Sequence, residues 1–348
     1  MSPYITTSLL FGLFLGTTIT ATSSHWLIAW MGLEINTLAI IPLMAHHHHP
    51  RAVEATTKYF LTQATAAAML LFASTTNAWL SGQWELQQMT HPVPSTMIII
   101  ALALKIGLAP LHTWLPEVLQ GLDLMTGLIL STWQKLAPFA LLLQLQPNNP
   151  TLLILLGVLS TLIGGWGGLN QTQLRKILAY SSIAHLGWMI LVLQFSPTLT
   201  LLTLTLYLIM TSSTFLVFML NKTTTINSLA TSWAKAPILT SLTPLILLSL
   251  GGLPPLTGFM PKWLILQELT KQDLALTATL AALSALLSLY FYLRLSYAMT
   301  LTIAPNNLTG TLPWRTPTNQ LNLATATMTT SSILLLPLTP GFMTLFNL

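Results

Sequence analysis

Four charged side chains occupy mid-span positions in the long apolar segments of this sequence. Glu34, Lys105 and Lys135 each lie near the middle of such a segment, and Lys262 follows a glycine- and proline-rich interruption of another. A charge at the centre of a bilayer costs about 2.5–3.5 kcal/mol even on a lenient insertion scale. A buried lysine releases its proton more readily than a solvated one, and a nearby carboxylate reverses that effect. These residues therefore predict a proton relay in which a moving carboxylate switches a lysine between holding and releasing a proton.

Two histidines fall within the same kind of segment and extend this hypothesis. His112 is expected within the helix that carries Lys105, and His185 within a later helix. Neutral imidazole can pass a proton between lysines, although a lone histidine is as often hydrogen-bonded for structural reasons. The alternative to the relay is a static ion pair between Glu34 and one lysine that fixes helix packing. Three central lysines against one central carboxylate favour the relay.

The composition excludes most soluble proteins. Only 5% of the 348 residues are charged, 53% are hydrophobic and the mean hydropathy is +0.71, whereas soluble domains carry about 25% charged residues. The chain has no cysteine, which excludes disulfides, thiolate metal sites and cysteine-ligated iron–sulfur clusters.

The apolar runs predict an all-α membrane protein, since about 20 apolar residues suffice for one span. We expect about eleven transmembrane helices, at residues 3–22, 25–45, 57–80, 96–116, 124–146, 151–170, 174–194, 198–221, 238–270, 275–299 and 324–346. Residues 300–323 are expected to form a longer loop, and the whole chain, 1–348, a single transmembrane domain. The N-terminus resembles neither a signal nor a transit peptide, so the first helix is expected to be retained.

The basic residues predict how the chain is oriented. Loops after even-numbered helices hold seven of them, namely Arg51, Lys58, Arg175, Lys176, Lys222, Lys235 and Arg315, and loops after odd-numbered helices hold only Lys271. The positive-inside rule places the N-terminus and the even loops on the positive side and the C-terminus on the other. Because the basic residues are scattered, no nucleic-acid partner is expected. Glu54 and Lys58, four residues apart, are expected to pair on a helix.

A repeated motif divides the chain into two halves. The pattern GLxPLxxxxP occurs at residues 107–116 and again 145 residues later, at 252–261. The two copies lie in the predicted fourth and ninth helices, which run in opposite directions. Inverted repeats with broken helices in corresponding positions indicate a transport site, and we expect repeats at roughly 1–146 and 151–299, with 324–346 as a final helix. The alternative is two unrelated proline-kinked helices.

The histidine run His46–His49 suggests a metal site, because histidine-rich tracts bind metals. Consecutive residues cannot all face one ion, however, and no carboxylate or cysteine accompanies them. We therefore expect no metal site. Neither a phosphate-binding loop nor a dinucleotide-binding motif is present, so we expect no cofactor on this chain.

Several segments resemble the subunit 2 family of mitochondrial NADH dehydrogenase (ubiquinone), respiratory complex I, of the vertebrate type. They lie at residues 25–44, 58–66, 81–85, 131–138, 164–189, 249–263 and 289–295, and the run GGLNQTQLRKILAYSSI is highly specific. The resemblance implies an antiporter-like subunit of the proton-pumping membrane arm of an NADH:ubiquinone reductase, in the mitochondrial inner membrane with the matrix on the positive side. It also implies that FMN, iron–sulfur clusters and ubiquinone are used by the whole complex rather than bound by this chain.

The resemblance assigns roles to residues and names partners. Glu34 and Lys105 correspond to the family's Glu–Lys pair, Lys135 to its central lysine and Lys262 to its distal lysine, while His112 and His185 resemble relays on the polar axis. The implied partners are other membrane-arm and accessory subunits of complex I and membrane lipids such as cardiolipin. Antiporter-like relatives usually have three more helices at the N-terminus, so lipid or other subunits would cover that flank.

Two other functions fit the same residues. A stand-alone cation/proton antiporter would have the same broken helices and would work alone in liposomes. A non-conducting spacer in a larger assembly would keep pumping normal when Lys135 is replaced.

Overall fold

The computed structural model describes residues 2–46, 49–89, 91–145, 150–234, 237–301 and 322–346. Most of these residues are helical, and the only β pairings among them are two isolated bridges. The helices form two compact units, Met1–Leu159 and Ser160–Leu348. The prediction of a single domain and the exact repeat boundaries stay predictions.

Six helices and the first part of a seventh make up the first unit. They are α1 (Pro3–Thr22), α2 (Trp26–Met44), α3 (Pro50–Ser81), α4 (Pro92–Ile106), α5 (Trp114–Gly121), α6 (Leu124–Gln144) and α7 (Pro150–Gly168), which continues into the second unit. Proline opens several of them, because its fixed φ suits a first turn whose amide has no helical acceptor. Helix α1 packs on α2 and α6, and α3 packs on α2, α4 and α5. The core of this unit therefore lies between α2, α3, α4 and α6.

The second unit contains the remaining helices. They are α8 (Leu174–Val192), α9 (Pro197–Leu220), α10 (Ile226–Ala230), α11 (Pro237–Gly251), α12 (Phe259–Lys271), α13 (Ala275–Thr300), α14 (Asn322–Leu334) and α15 (Thr339–Phe346). Helix α8 is buried around nearly its whole circumference. Helix α9 packs against α8, α11, α14 and α15, and α13 packs against α11.

Most predicted helices are confirmed within about two residues of their ends. Helix α3 differs, since it begins at Pro50 rather than at residue 57. The charges of its first turns interrupt the apolar run but not the helix, because His49 caps it and Glu54 pairs with Lys58 at 2.8 Å, as predicted. Lys58 also contacts Glu117 at 2.8 Å, which ties α3 to α5.

Three predicted helices are not continuous. The fourth and ninth each appear as two helices, α4 with α5 and α11 with α12. The prediction of one helix over 324–346 is wrong, because the chain bends by 70° between Leu323–Leu334 and Leu336–Leu345. Pro337 lacks the amide hydrogen that a straight helix would need there, and its ring clashes with the preceding turn.

The short helix α10 was not predicted. Its five residues are too few for an apolar periodicity, and the signal that marks it is a capping box between Thr225 and Ser228. His47, His48, Lys235, Arg315 and most of the predicted loop at 300–323 lie outside the described residues.

Five of the described helices are long and apolar enough to cross a membrane: α1, α2, α7, α9 and α13. The bent pair α14 and α15 makes up to six if it counts as one span. The chain is therefore an all-α, polytopic membrane protein.

Within the second unit, α7 approaches α8 closely at Gly164. The Cβ of an alanine at position 164 would lie 2.6 Å from the backbone nitrogen and 2.8 Å from the Cα of Ala184. Backbone atoms cannot move aside cheaply, and overpacking costs about 1–3 kcal/mol. We therefore expect Gly164→Ala to lower the Tm of the purified protein, measured by thermal unfolding in detergent.

Gly341→Ala is the matched control, since its Cβ would meet no described atom within 4 Å. Equal Tm values for the two variants would contradict the close approach of α7 and α8.

Candidate functional site

The first interruption begins where α4 ends at a left-handed glycine. Gly107 has φ +86°, a conformation that costs glycine little and other residues much. Its amide and that of Leu108 both donate to the Ala103 carbonyl at 2.9 Å. Residues 108–113 then form turns, and α5 begins at Trp114. The loop therefore separates α4 from α5.

Side chains donate hydrogen bonds to the backbone carbonyls that lack a helical donor because α4 ends here. The Trp114 indole donates to the Leu104 carbonyl at 3.1 Å, and the Gln63 amide donates to the Lys105 carbonyl at 3.5 Å. Inside a membrane no bulk water can do this, so the partners must come from the protein. The interruption is thus built into the packing of α3 against α4.

Lys105 and Lys135 line one cavity in the first unit. Lys105, in the last turn of α4, is 5% exposed, and Lys135, in the middle of α6, is 3% exposed. Asn36, Gln63 and Gln134 also line this cavity, whose volume is about 20 Å³. A volume of about 10–15 Å³ suffices for one water molecule.

Two side chains at this cavity lack protein partners. Within the described part of the chain, neither the Lys105 Nζ nor the side-chain nitrogen and oxygen of Asn36 has a hydrogen-bond partner, and Asn36 is only 2% exposed. Buried polar groups are nearly always paired with protein or ordered water. The cavity therefore has the space and the polar groups to hold a water molecule.

Glu34 lies beside this cavity but does not form an ion pair with Lys105. Its carboxylate accepts a hydrogen bond from Thr37 Oγ1 at 3.0 Å, and Thr37 lines the cavity. No oxygen of Glu34 comes within 4.0 Å of the Lys105 ammonium. The two groups are therefore separated by a gap.

His112 is not where the sequence predicts it. It lies in the turn between α4 and α5 rather than within a helix, and its Nδ1 is 3.3 Å from the Pro110 carbonyl oxygen. Gly107 ends the helix before the chain reaches it. The residues that line the Lys105–Lys135 cavity do not include His112.

The second interruption uses a lysine as the partner of a released carbonyl. Gly252, with φ +83°, ends α11, and Lys262 lies in the first turn of α12. The Lys262 Nζ donates to the Gly251 carbonyl at 2.7 Å. The Lys262 side chain thus supplies the donor that this helix-terminal carbonyl lacks.

His185 and Lys262 line a second cavity of about 20 Å³, in the second unit, together with Thr203. The His185 ring lies 5.7 Å from that of Tyr207. The structure thus places the six predicted residues in three positions. Lys105 and Lys135 share one cavity with Glu34 beside it, His185 and Lys262 share another, and His112 lies apart from the first.

The sequence reasoning missed the amide side chains. Asn36, Gln63 and Gln134 line the first cavity, and none was a candidate because only ionisable residues were considered. Uncharged amides in the middle of apolar runs were the signal that could have found them. Among the described residues, no group of three or more His, Cys, Asp or Glu could hold a metal ion.

Comparison with known proteins agrees with the sequence reading. The family model "NADH:quinone oxidoreductase/Mrp antiporter, TM" matches residues 23–288, and "NADH dehydrogenase subunit 2 C-terminus" matches residues 289–343. The chain is 90% identical to NADH-ubiquinone oxidoreductase chain 2 of Tetraodon nigroviridis, over 100% of both chains. It is 70% identical to the protein of that name from Salmo salar, again over 100% of both.

A solved structure supports the same relationship. A chain of respiratory complex I from Thermus thermophilus, solved with bound aureothin, superposes with a TM-score of 0.85 at 30% identity, covering 98% of this chain and 79% of that one. Since the antiporter model alone spans well over half of the sequence and full-length relatives are up to 90% identical, the chain belongs to the NADH:quinone oxidoreductase/Mrp antiporter membrane family, in its NADH-ubiquinone oxidoreductase chain 2 group.

Proposed function

We propose that this chain is a proton-translocating membrane-arm subunit of NADH:ubiquinone oxidoreductase and moves protons through buried lysines. It is a subunit of that enzyme and carries no redox centre itself. The observation that carries the proposal is the cavity in which Lys105 and Lys135 meet the unpartnered Asn36. Electron transfer from NADH to ubiquinone, in other subunits, supplies the energy.

In the first unit, Glu34 controls whether Lys105 keeps its proton. When the carboxylate moves toward Lys105, attraction holds the proton on the ammonium, and when it moves away, desolvation drives the proton off. The observed gap between the two charges suits such a switch better than a fixed ion pair would. A water molecule held by Asn36 then carries the proton between Lys105 and Lys135.

In the second unit, Lys262 holds its proton against the Gly251 carbonyl and can exchange it with His185 in the cavity that they share. Imidazole can both accept and return a proton, which suits such an exchange. His112 stays a proposed relay residue at the first interruption, outside the lysine cavity.

The finer predictions about the assembly belong to the same proposal. We place the chain in the mitochondrial inner membrane with eleven transmembrane helices, of which α4 with α5 and α11 with α12 are the two broken ones. The N-terminus faces the matrix and the C-terminus the intermembrane side. The partners are other complex I membrane-arm and accessory subunits and lipids such as cardiolipin, without nucleic acid. FMN, iron–sulfur clusters and ubiquinone act elsewhere in the complex.

The stand-alone antiporter is the less favoured function. The family model covers both kinds of protein, but the full-length relatives at 90% and 70% identity are oxidoreductase chains. We expect the purified chain alone in liposomes to show no sodium- or potassium-driven proton movement, measured with a pH-sensitive dye. Exchange at a rate comparable to that of a known antiporter would contradict this expectation.

Lys135→Met tests the relay. Loss of a positioned proton-transfer group costs about 100-fold or more in the step it serves. We expect proton pumping per electron and coupled NADH:ubiquinone activity to fall strongly, while the amount of assembled complex stays normal. Both are measured with the purified complex in liposomes.

The matched control is Lys271→Met, because the Lys271 side chain is 60% exposed and pairs only with Glu268 among the described residues. Normal pumping per electron in Lys135→Met would contradict the relay and favour a non-conducting spacer.

Asn36→Ala tests whether this amide holds water. The Asn36 side chain makes no hydrogen bond to the described protein and packs closely against Gly16 of α1, so alanine removes the amide without adding atoms to that contact. We expect coupled activity to fall at normal complex content, because water in the cavity loses a polar partner. Both quantities are measured on the same preparation. Unchanged activity would contradict the role of Asn36.

A further inference from the structure

The loop that joins α11 to α12 packs closely against α11. It spans residues 252–258, and Lys262 follows within one turn. Gly258 lies so close to α11 that a Cβ on it would run into the Ser249 carbonyl. A glycine is therefore required for the loop to lie against α11.

A buried hydrogen bond holds the same loop from the other side. Thr257 Oγ1 donates to the Ser332 carbonyl oxygen at 2.5 Å. Thr257 is 1% exposed and Ser332 is fully buried. Ser332 belongs to α14, the first part of the bent last span, so this span reaches the interruption that precedes Lys262.

The bend in the last span makes this carbonyl available. Helix α14 ends at Leu334, so Ser332 is among its last four residues, whose carbonyls lack helical donors. In a straight helix the amide of residue 336 would take that place. The Ser332 hydroxyl donates its own hydrogen bond to the Thr329 carbonyl at 2.8 Å. The contact with Thr257 is made by the backbone oxygen of Ser332.

Thr257 and Ser332 lie in segments that match two different family models. Thr257 and Lys262 lie within residues 23–288, which match the model shared with antiporters. Ser332 lies within residues 289–343, which match the separate subunit 2 C-terminal model. The segment that matches the subunit 2 C-terminal model thus contacts a loop within the residues that match the antiporter model.

We propose that the bent last span is a positioning element for Lys262, and that Thr257, through the Ser332 carbonyl, keeps the loop in the conformation that brings Lys262 to Gly251. This inference rests on the proposed role of Lys262 in proton transfer. If the Thr257 bond is lost, the loop can move away from α11 and the contact between Lys262 and the Gly251 carbonyl becomes less well defined. Thr257 is therefore a positioning residue that touches no transferred proton.

The test compares three substitutions at the loop in the purified, assembled complex in liposomes. Thr257→Val removes the hydroxyl at nearly constant volume, Thr257→Ser keeps it, and Lys262→Met removes the ammonium. We expect the Thr257→Val complex to pump fewer protons per electron than the unmodified complex, at normal complex content. We expect the Thr257→Ser complex to pump at the unmodified level. Thr270→Val, the same chemical change at an exposed position of α12, is the control and should pump normally.

The outcomes separate this inference from the proposed function. Reduced pumping in Lys262→Met with normal pumping in Thr257→Val would overturn only the role of the last span. Normal pumping in Lys262→Met would overturn the proposed role of Lys262 and this inference with it. A loss of assembled complex in Thr257→Val, with normal pumping per electron in the complex that remains, would show that the bond supports folding only and would also overturn the inference.

Discussion

A backbone carbonyl released inside a membrane must find a donor within the protein, because hydrocarbon offers none. Both interruptions of this chain are shaped by that requirement. At the first, Gln63 and Trp114 donate to the carbonyls of the last turn of α4. At the second, Lys262 itself donates to Gly251. The need for a donor thus explains why polar and ionisable side chains gather where the helices stop.

The same requirement couples structure to the proposed chemistry. A lysine whose ammonium satisfies a helix end cannot give up its proton without weakening that contact, so proton release at Lys262 and loop position are linked. At Lys105 the carbonyls of the last turn of α4 have other donors, and the Lys105 Nζ has no hydrogen-bond partner among the described residues. The two interruptions therefore share a backbone pattern but use their lysines differently. The unequal placement of Lys105 and Lys262 in the repeated motif is already visible in the sequence.

Much of this architecture was predictable because it depends on local properties. Apolar length located most helices, and the repeated motif marks the ends of α4 and α11, since glycine at positive φ and proline act within a few residues. The 70° bend in the last span was not predicted, although Pro337 marks it, because an apolar run looks alike whether it is straight or bent. Helix α3 began earlier than predicted because its charged first turns are stabilised by the pairing of Lys58 with Glu54 and Glu117, the second of which is distant in the sequence.

The sequence by itself determined the solvent, the helical class, the family and the identity of the scarce buried charges. In a chain with 5% charged residues, each ion in an apolar segment carries a cost that makes it conspicuous. Only the tertiary structure decided which residues share a cavity. It grouped Lys105 with Lys135 and Asn36, separated Glu34 from Lys105, moved His112 into a turn and joined Thr257 to Ser332. The reason is that hydropathy and helix breakers act along the chain, whereas cavities, ion-pair gaps and the donors of released carbonyls arise from residues that meet only after packing.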